Sequence, residues 1–543
     1  MSAKSAMVTL ARAITVAPGL FAPGHLGELT WIAPFELVDA LVSEHGVRER
    51  RVRSLPSRVG VYLVLAMGLF GQVSVAGVFA KLTAGLGSAA PPAPSEKALR
   101  DLRRRIGPAP VKALFEVLAG PLAQPHTPGV RYRRYRTVAF DGCSSTKIPE
   151  SGRNLERYGP APVGAAVRGY PMLMLMTLAE TGTRALIGAV FGPISTGEIA
   201  YAERLLHLLN PQMLLLDDRG FDSDEFLGKI AATGAQFLVR ARALRRPPVL
   251  AILPDGSYLT LIAGLRLRVI EAEITMKGQD GSEVTGSYRL LTTLLDHRTD
   301  PARTLIALYH ERWEIESTYY AIRHTLLHGR VLRSKDPAGI TQEMWGLLAC
   351  YQALRTAMLT AAESAPGSDP DRLCFTLALE TTRNQVINAE LGDPHDPIGA
   401  TGRTLLAHPL PARRPRYSAR KVKSPTSRYS VNNDPQRPLA STTVTHLAIT
   451  ILEPATAPAP APTTRETGPT PDKQHILDIL RNHSGQPRRV RDIAASLEIS
   501  GRQPINRLAT RMSRWARQGL LTKTAPATYT INETPPLTTR SNP

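Results

Sequence analysis

Cysteine is almost missing from this chain: there are three in 543 residues, Cys143, Cys350 and Cys374, far apart and with no CxxC pair. That scarcity excludes a disulfide framework and a Cys-rich zinc site, and it reads as the reduced thiols of a cytosolic, cytoplasmic protein. Acidic charge is also in deficit, with 46 Asp and Glu against 66 Lys and Arg and a formal net charge of +20. A balance this positive favours a polyanionic partner, because neutralising phosphates releases condensed counterions. An anionic membrane surface or plain solubility would use the same charge. Long hydrophobic runs are scarce as well. One uncharged stretch, residues 60–80 (GVYLVLAMGLFGQVSVAGVFA), has the length of a membrane span, but Gln72, Ser74 and several glycines interrupt it. In a chain otherwise this polar, a hairpin of two core helices is the more economical reading, and no membrane partner is expected. The N-terminus, broken by Arg12 and Pro18, has no compact apolar run and cleavage pattern of the signal-peptide kind.

Hydrophobic residues make up 43% of the chain, enough to bury real cores, and the length implies about three or four domains. The segment 20–125 reads as all-helical, with Phe35, Leu37, Val38, Leu41 and Val42 at helical spacing. From 131 to 244 strands dominate. TVAFD ends in Asp141, PMLMLMTLAETGTRALIGAVFGP is a hairpin with a Glu-Thr-Gly-Thr turn, and STGEIAYAERLLHLLN is an amphipathic helix capped by Ser195 or Thr196. QMLLLDDRGF is then a buried strand that ends in Asp217 and Asp218. This order begins a mixed α/β sheet. Residues 245–295 read as a β-rich insertion and 296–410 as the helical second part of the core, with one long helix from 301 to Gly329. Residues 411–471 hold a basic arm, with eight basic residues against one Asp over 412–438, and a Pro-rich linker from Glu453. The last segment, 472–533, spaces three helices before a short hairpin, which is the winged helix-turn-helix pattern. On its third helix Arg507, Arg511 and Arg514 share one face, suited to DNA, while Ile505, Leu508, Met512 and Trp515 share another.

Ligand sites of open sheets gather at strand C-terminal ends, so the strand-ending Asp141 and Asp218 could meet at one cleft; a lone Asp in such a place is more often a turn former. Tyr309, Arg312, Glu316 and Arg323, at offsets of three, seven and fourteen residues, fall within roughly 60° of one helix face at about 100° per residue. A solvated Arg312–Glu316 ion pair would produce the same spacing. YHERWEIESTYYAIR resembles the Tyr-x2-Arg-x3-Glu-x6-Lys signature of DDE transposases of the insertion-sequence-four family. AFDGCSSTKIPESGRN and LLLDDRGFDS resemble the blocks around that family's two aspartates, and FELVDALVSEHGVRERRVRSLPSRVGVYLVLAMGLF its helical N-terminal domain.

The resemblance implies an RNase H-like catalytic core with a β-rich insertion and an all-α N-terminal domain; the Pro-rich linker and the small C-terminal winged helix-turn-helix look like additions to the family's usual layout. It implies Asp141, Asp218 and Glu316 as catalytic and metal-binding carboxylates, with Asp217 as the rival for the second place. Tyr309, Arg312 and Arg323 would contact DNA. Arg323 stands where the family has Lys, and a planar guanidinium does not replace an ammonium contact one for one. Hard carboxylate oxygens suit Mg²⁺ (or Mn²⁺). Residues 245–295 lack the Trp that some relatives stack on a flipped base, so no hairpin intermediate is implied. The expected partners are double-stranded DNA, as element ends and target, and a second copy of the chain in a homodimer on DNA. The alternatives are a nuclease or inactivated transposase of the same fold, and a DNA-binding regulator working through the C-terminal module.

Overall fold

The computed structural model describes residues 26–51, 53–160, 170–278, 283–393, 395–412, 444–454, 473–482, 486–497 and 502–531. The basic arm expected over 412–438 and most of the Pro-rich linker lie outside the described residues. The chain divides after Thr456 into two compact units.

Among the described residues five α-helices lead the first unit: α1 Phe35–Glu44, α2 Ser57–Leu69, α3 Val75–Thr83, α4 Glu96–Ile106 and α5 Ala109–Leu118. Helix α2 is apolar on all sides because it is buried on all sides. The Ser74 and Ser95 hydroxyls start α3 and α4 by accepting from the backbone N–H of Gly77 and Ala98, each at 3.2 Å. Residues 60–80 thus form the expected helical hairpin, and no described helix is long and apolar enough to cross a membrane.

The sheet follows, with β1 Arg131–Tyr132, β2 Tyr135–Lys147, α6 Gly152–Tyr158, β3 Met172–Glu180, β4 Leu186–Pro193, α7 Glu198–Glu203, β5 Met213–Asp217, α8 Asp224–Ala232 and β6 Gln236–Arg240. Next come β7 Ala251–Ile252, β8 Tyr258–Ile262, β9 Leu265–Gly278 and β10 Glu283–Thr292. The helices α9 Ala302–Tyr309, α10 Trp313–Tyr320, α11 Pro337–Ser364, α12 Phe375–Asn388 and α13 Gly399–Ala407 complete the unit, with a last strand β11 Val444–Ile451. Among the described residues the strands make one mixed sheet in the order β4-β3-β2-β5-β6-β10-β9-β8-β7. Strands β2, β3 and β4 are antiparallel neighbours, whereas β2, β5 and β6 run parallel.

The β-rich segment 245–295 continues the main sheet, because β10 pairs with β6. Three expectations change here. Strand β11 lies within the segment read as arm and linker, yet it pairs with β9 and lays Leu447, Ile449 and Ile451 on the core. Helix α7 is short, and its cap is Gly197 at φ +81°, a left-handed conformation that costs glycine little, in place of Ser195 or Thr196. The long helix of 301–329 is also broken, by a 3₁₀ turn at His310–Arg312 and a π-helical turn at Ala321–Leu326.

Packing assigns the sheet faces. Val138 and Phe140 of β2 and Met213 and Leu215 of β5 share a core with α7 and α8. Ala139 and Cys143 face the other way, into a core built with α2, α10 and α11, so the N-terminal helices and the later helices bury one another. Leu214 and Leu216 also face that way, under α9. Because side chains alternate along a strand, Asp141 belongs with Ala139 and Cys143. By the same count Asp218 belongs with Leu214 and Leu216, and Asp217 with the opposite face.

The second unit has α14 Lys473–Arg481, β12 Arg488–Arg489, α15 Val490–Ser496, α16 Arg502–Arg517, β13 Leu521–Ala525 and β14 Thr528–Ile531. Its three strands form a separate sheet in the order β12-β14-β13. Ile476, Leu480, Val490, Ile493, Leu508, Met512, Trp515 and Tyr529 make its own core.

Candidate active site

The parallel register of β2 on β5 pairs Val138 with Leu215. Three residues further along each strand, Asp141 comes level with Asp218, at the point where β2 leaves β5 and continues only on β3. A cleft opens where two parallel strands part, and both carboxylates lie at its edge. The Asp141 carboxylate accepts from the Gly142 N–H at 2.9 Å. Burial pushes its pKa up to about 7, against the pull of Arg312 and with further push from Asp218 and Glu316. The Asp218 carboxylate accepts from the Gly220 N–H at 2.6 Å, capping the turn Arg219–Phe221.

Asp217 points to the opposite, sealed face. It is fully buried, its Oδ1 accepts from the Phe140 N–H at 3.0 Å, and burial pushes its pKa well above the ordinary carboxylate range. Its Oδ2 has no hydrogen-bond partner. A neutral side chain that pins β5 to β2 is the role this geometry supports.

Helix α10 brings Glu316 to the same cleft. The Arg312 guanidinium lies 3.3 Å from the Glu316 carboxylate, and the arginine side chain is 4% exposed against 38% for the glutamate. Burial alone would lower the pKa of Arg312, but Tyr309, Asp141, Asp218 and Glu316 around it raise it instead. One buried cation therefore faces three carboxylates. The helix is held in place from both sides. Tyr319 donates to the Asp141 carbonyl and lies 3.0 Å from the Thr177 hydroxyl. Glu314 and Asp371 both pair with Arg184, which sits at φ +62° in the β3–β4 turn.

The remaining residues expected at the site are placed less simply. Tyr309 is buried, its hydroxyl donates to the Asp217 carbonyl at 3.1 Å, and burial pushes its pKa up to about 12. From this buried position it supports the Asp217–Asp218 backbone. Arg312 is likewise buried within the carboxylate cluster. Arg323 lies inside the π-helical turn, so the uniform 100° advance that aligned it with Glu316 does not hold there. In the second unit Arg511 stacks over the Trp515 ring at 5.2 Å and Arg514 is exposed, whereas the Arg507 side chain lies outside the described residues.

A further carboxylate was missed in the sequence. Glu198 opens α7, and its pKa is raised by burial and then by Asp218. A Cβ on Gly142 would come within 2.7 Å of Glu198 Oε1, and one on Gly220 within 3.7 Å of its Oε2. The signal available was the glycine beside each aspartate, Asp141-Gly142 and Asp218-Arg219-Gly220, which leaves room for a neighbouring side chain.

The donors fit a hard divalent cation: they are carboxylate oxygens, and Asp141 carries a raised pKa that a nearby cation would relieve. Among the described residues no group of three or more His, Cys, Asp or Glu side chains is placed to hold a metal ion as it stands.

Residues 136–353 match the transposase DDE domain, and residues 23–116 match the insertion element 4 transposase N-terminal domain. The chain is therefore a DDE transposase, of a class that cuts nucleic acid and transfers strands. It belongs to the insertion-sequence-four family and carries that family's N-terminal domain. The transposase InsG for insertion sequence element IS4 of Escherichia coli (strain K12) is 27% identical over 352 residues, 63% of this chain and 78% of that protein. The putative transposase InsZ of the same strain is 26% identical over 134 residues, 24% of this chain and 44% of that protein. Among solved structures, the piggyBac transposase synaptic complex with hairpin DNA covers 73% of this chain at a TM-score of 0.33 and 10% identity, a distance at which the likeness carries no argument.

Proposed function

We propose that Asp141, Asp218 and Glu316 are the carboxylates with which this transposase cleaves DNA at mobile-element ends and joins the freed ends to target DNA. The observation that carries this is the register of β2 on β5, which brings Asp141 level with Asp218 while Arg312 couples both to Glu316. The strand order, with three antiparallel strands followed by two parallel ones, supports an RNase H-like core.

DDE transposases generally use divalent metal ions; Asp141, Asp218 and Glu316 would hold Mg²⁺ or Mn²⁺ here. Such an ion supplies a Lewis acid for the charge that develops on a phosphate under in-line attack. The protein's own residues do the positioning. Arg312 limits repulsion among the carboxylates, and Tyr309 and Tyr319 fix the backbones of Asp217 and Asp141. With Tyr309 and Arg312 buried, Arg323 is the signature residue left for direct DNA contact. Two copies acting on two element ends, in the cytoplasm, is the arrangement the family resemblance supports. The three helices and the β13–β14 hairpin of the second unit support a winged helix, and α16 with Arg511, Arg514 and Arg507 is its proposed DNA-reading helix.

Strand-transfer assays with precleaved ends test this. Asp141→Asn, Asp218→Asn and Glu316→Gln should each lower Mg²⁺-dependent joining by about 10³-fold or more. Cutting without joining would reduce the protein to a nuclease. DNA binding by the second unit with no effect of Asp141→Asn would favour a regulator.

A further inference from the structure

On the first unit, between α4 and the loops that precede α6 and α11, lies a groove of about 880 Å³. Its floor holds two guanidinium groups. Arg103 and Arg333 share one carboxylate, Glu343, at 3.4 Å and 3.7 Å. Arg103 is also fixed by Gln342 at 2.9 Å and Ser334 at 2.8 Å, and Arg333 by the carbonyls of Val73 and Phe70 at 2.9 Å and 2.7 Å. Two cations on one buried anion leave a rigid positive floor.

The walls add Arg100, Arg104, Arg153 and Lys335. All four are exposed, and none has an ion-pair or hydrogen-bond partner for its side chain among the described residues. Against them stand Glu96 and Asp336, and Asp336 is occupied in capping α11 through the Gly339 N–H at 2.9 Å. Counting Glu343 with the floor, six cations meet three anions. Uncompensated charge held in a concave, pre-set frame is what a phosphodiester backbone requires.

We infer that this groove holds the sugar–phosphate backbone of the DNA duplex beside the reacting phosphate, a position that rests on the proposed site at Asp141. Ser151, on the groove wall, is ten residues beyond Asp141, so the two lie at most about 33 Å apart along the chain. At about 3.4 Å per base step, that puts the groove within roughly ten base pairs of the cleavage point. The contact is to backbone, so it adds affinity and register without reading sequence.

The test is binding of the full chain to a labelled 30-base-pair duplex of arbitrary sequence over a salt series. Arg100→Ala/Arg104→Ala/Arg153→Ala should weaken binding by about 10- to 100-fold and lower the salt slope by about 2 to 3. The exposed pair Arg298→Ala/Arg303→Ala, on α9 and the loop before it, should change both much less. An unchanged slope in the groove variant, with its melting temperature retained, overturns the proposal. Metal-dependent cutting by Asp141→Asn separates the two readings. If Asp141→Asn is dead while the groove variant binds as wild type, the groove alone fails. If the groove variant loses affinity while Asp141→Asn still cuts, the site assignment fails and the groove stands.

Discussion

Replacing Asp217 and Asp218 one at a time by Asn should give opposite results. Asp217 is fully buried on the α7–α8 face, and burial pushes its pKa well above the ordinary range. The sign follows from linkage. A carboxyl whose folded pKa is raised above its unfolded value keeps a proton that the unfolded chain gives up. Its stability contribution is complete below the unfolded pKa and is lost as pH rises towards the folded one. The loss is about 1.4 kcal/mol for each pH unit over which the folded state alone holds the proton. Asn has no proton to lose and keeps an oxygen for the Phe140 N–H. Its amide nitrogen takes the place of Oδ2, already without a partner, so an unpaired polar atom at that position is common to both side chains. Asp217→Asn should therefore match or exceed wild type in stability, by a margin that grows with pH, and should keep its activity. Asp218→Asn should leave stability within about 1 kcal/mol of wild type and abolish strand cleavage. Urea unfolding at pH 5 and pH 8, paired with a Mg²⁺-dependent cleavage assay, measures both. Loss of cleavage in Asp217→Asn with retained stability, and normal cleavage in Asp218→Asn, would refute the face assignment of the two aspartates.

Other outcomes follow from the same geometry. Asp141 titrates near pH 7, so protons should compete with the cation below that point. Calorimetric Mn²⁺ affinity should fall about tenfold per unit from pH 7 to pH 6, and a flat profile would remove Asp141 from the site. Burial, then Arg240 and Arg312, lowers the pKa of His310 to about 4. A base with a depressed folded pKa gives stability that is present above its unfolded value and lost as pH falls. Unfolding free energy should thus drop by about 3 kcal/mol between pH 7 and pH 4, and His310→Gln should lack that share of the drop. A chain ending at residue 440 loses β11, whose Leu447, Ile449 and Ile451 pack on the sheet core. It should be about 3–5 kcal/mol less stable than one ending at 456, and equal urea midpoints would contradict this.

Much of this fold could be read in the sequence, because its strongest signals are local. The hairpin of α2 and α3, the β3–β4 turn and the strand ending in Asp217 all came from apolar runs with clear punctuation. Strand β11 was also written plainly, as the alternation Leu447, Ile449, Ile451, but the Pro-rich stretch that follows drew the boundary too early. The π-helical turn leaves no such trace, since AIRHTL has the composition of an ordinary helix. Pairing partners were not legible either. Nothing local says that β10 joins β6, and that pairing is what makes 245–295 part of the main sheet.

The functional residues divide along the same line. Asp141 and Glu316, two of the proposed carboxylates, are legible by position within their own elements. Choosing between Asp217 and Asp218 required knowing which face of β5 is sealed, which depends on α7 and α8 packing there. Tyr309 and Arg312 were recognised as signature residues and read as facing DNA. The structure buries both: Arg312 is the internal cation among Asp141, Asp218 and Glu316, and Tyr309 is held against the Asp217 carbonyl. Spacing along a helix shows which residues share an edge; it does not show whether that edge meets solvent or the back of an active site. The exposed cations of the proposed groove, Arg100, Arg104, Arg153 and Lys335, come from three separate stretches of chain. No motif joins them, and only the fold brings them together.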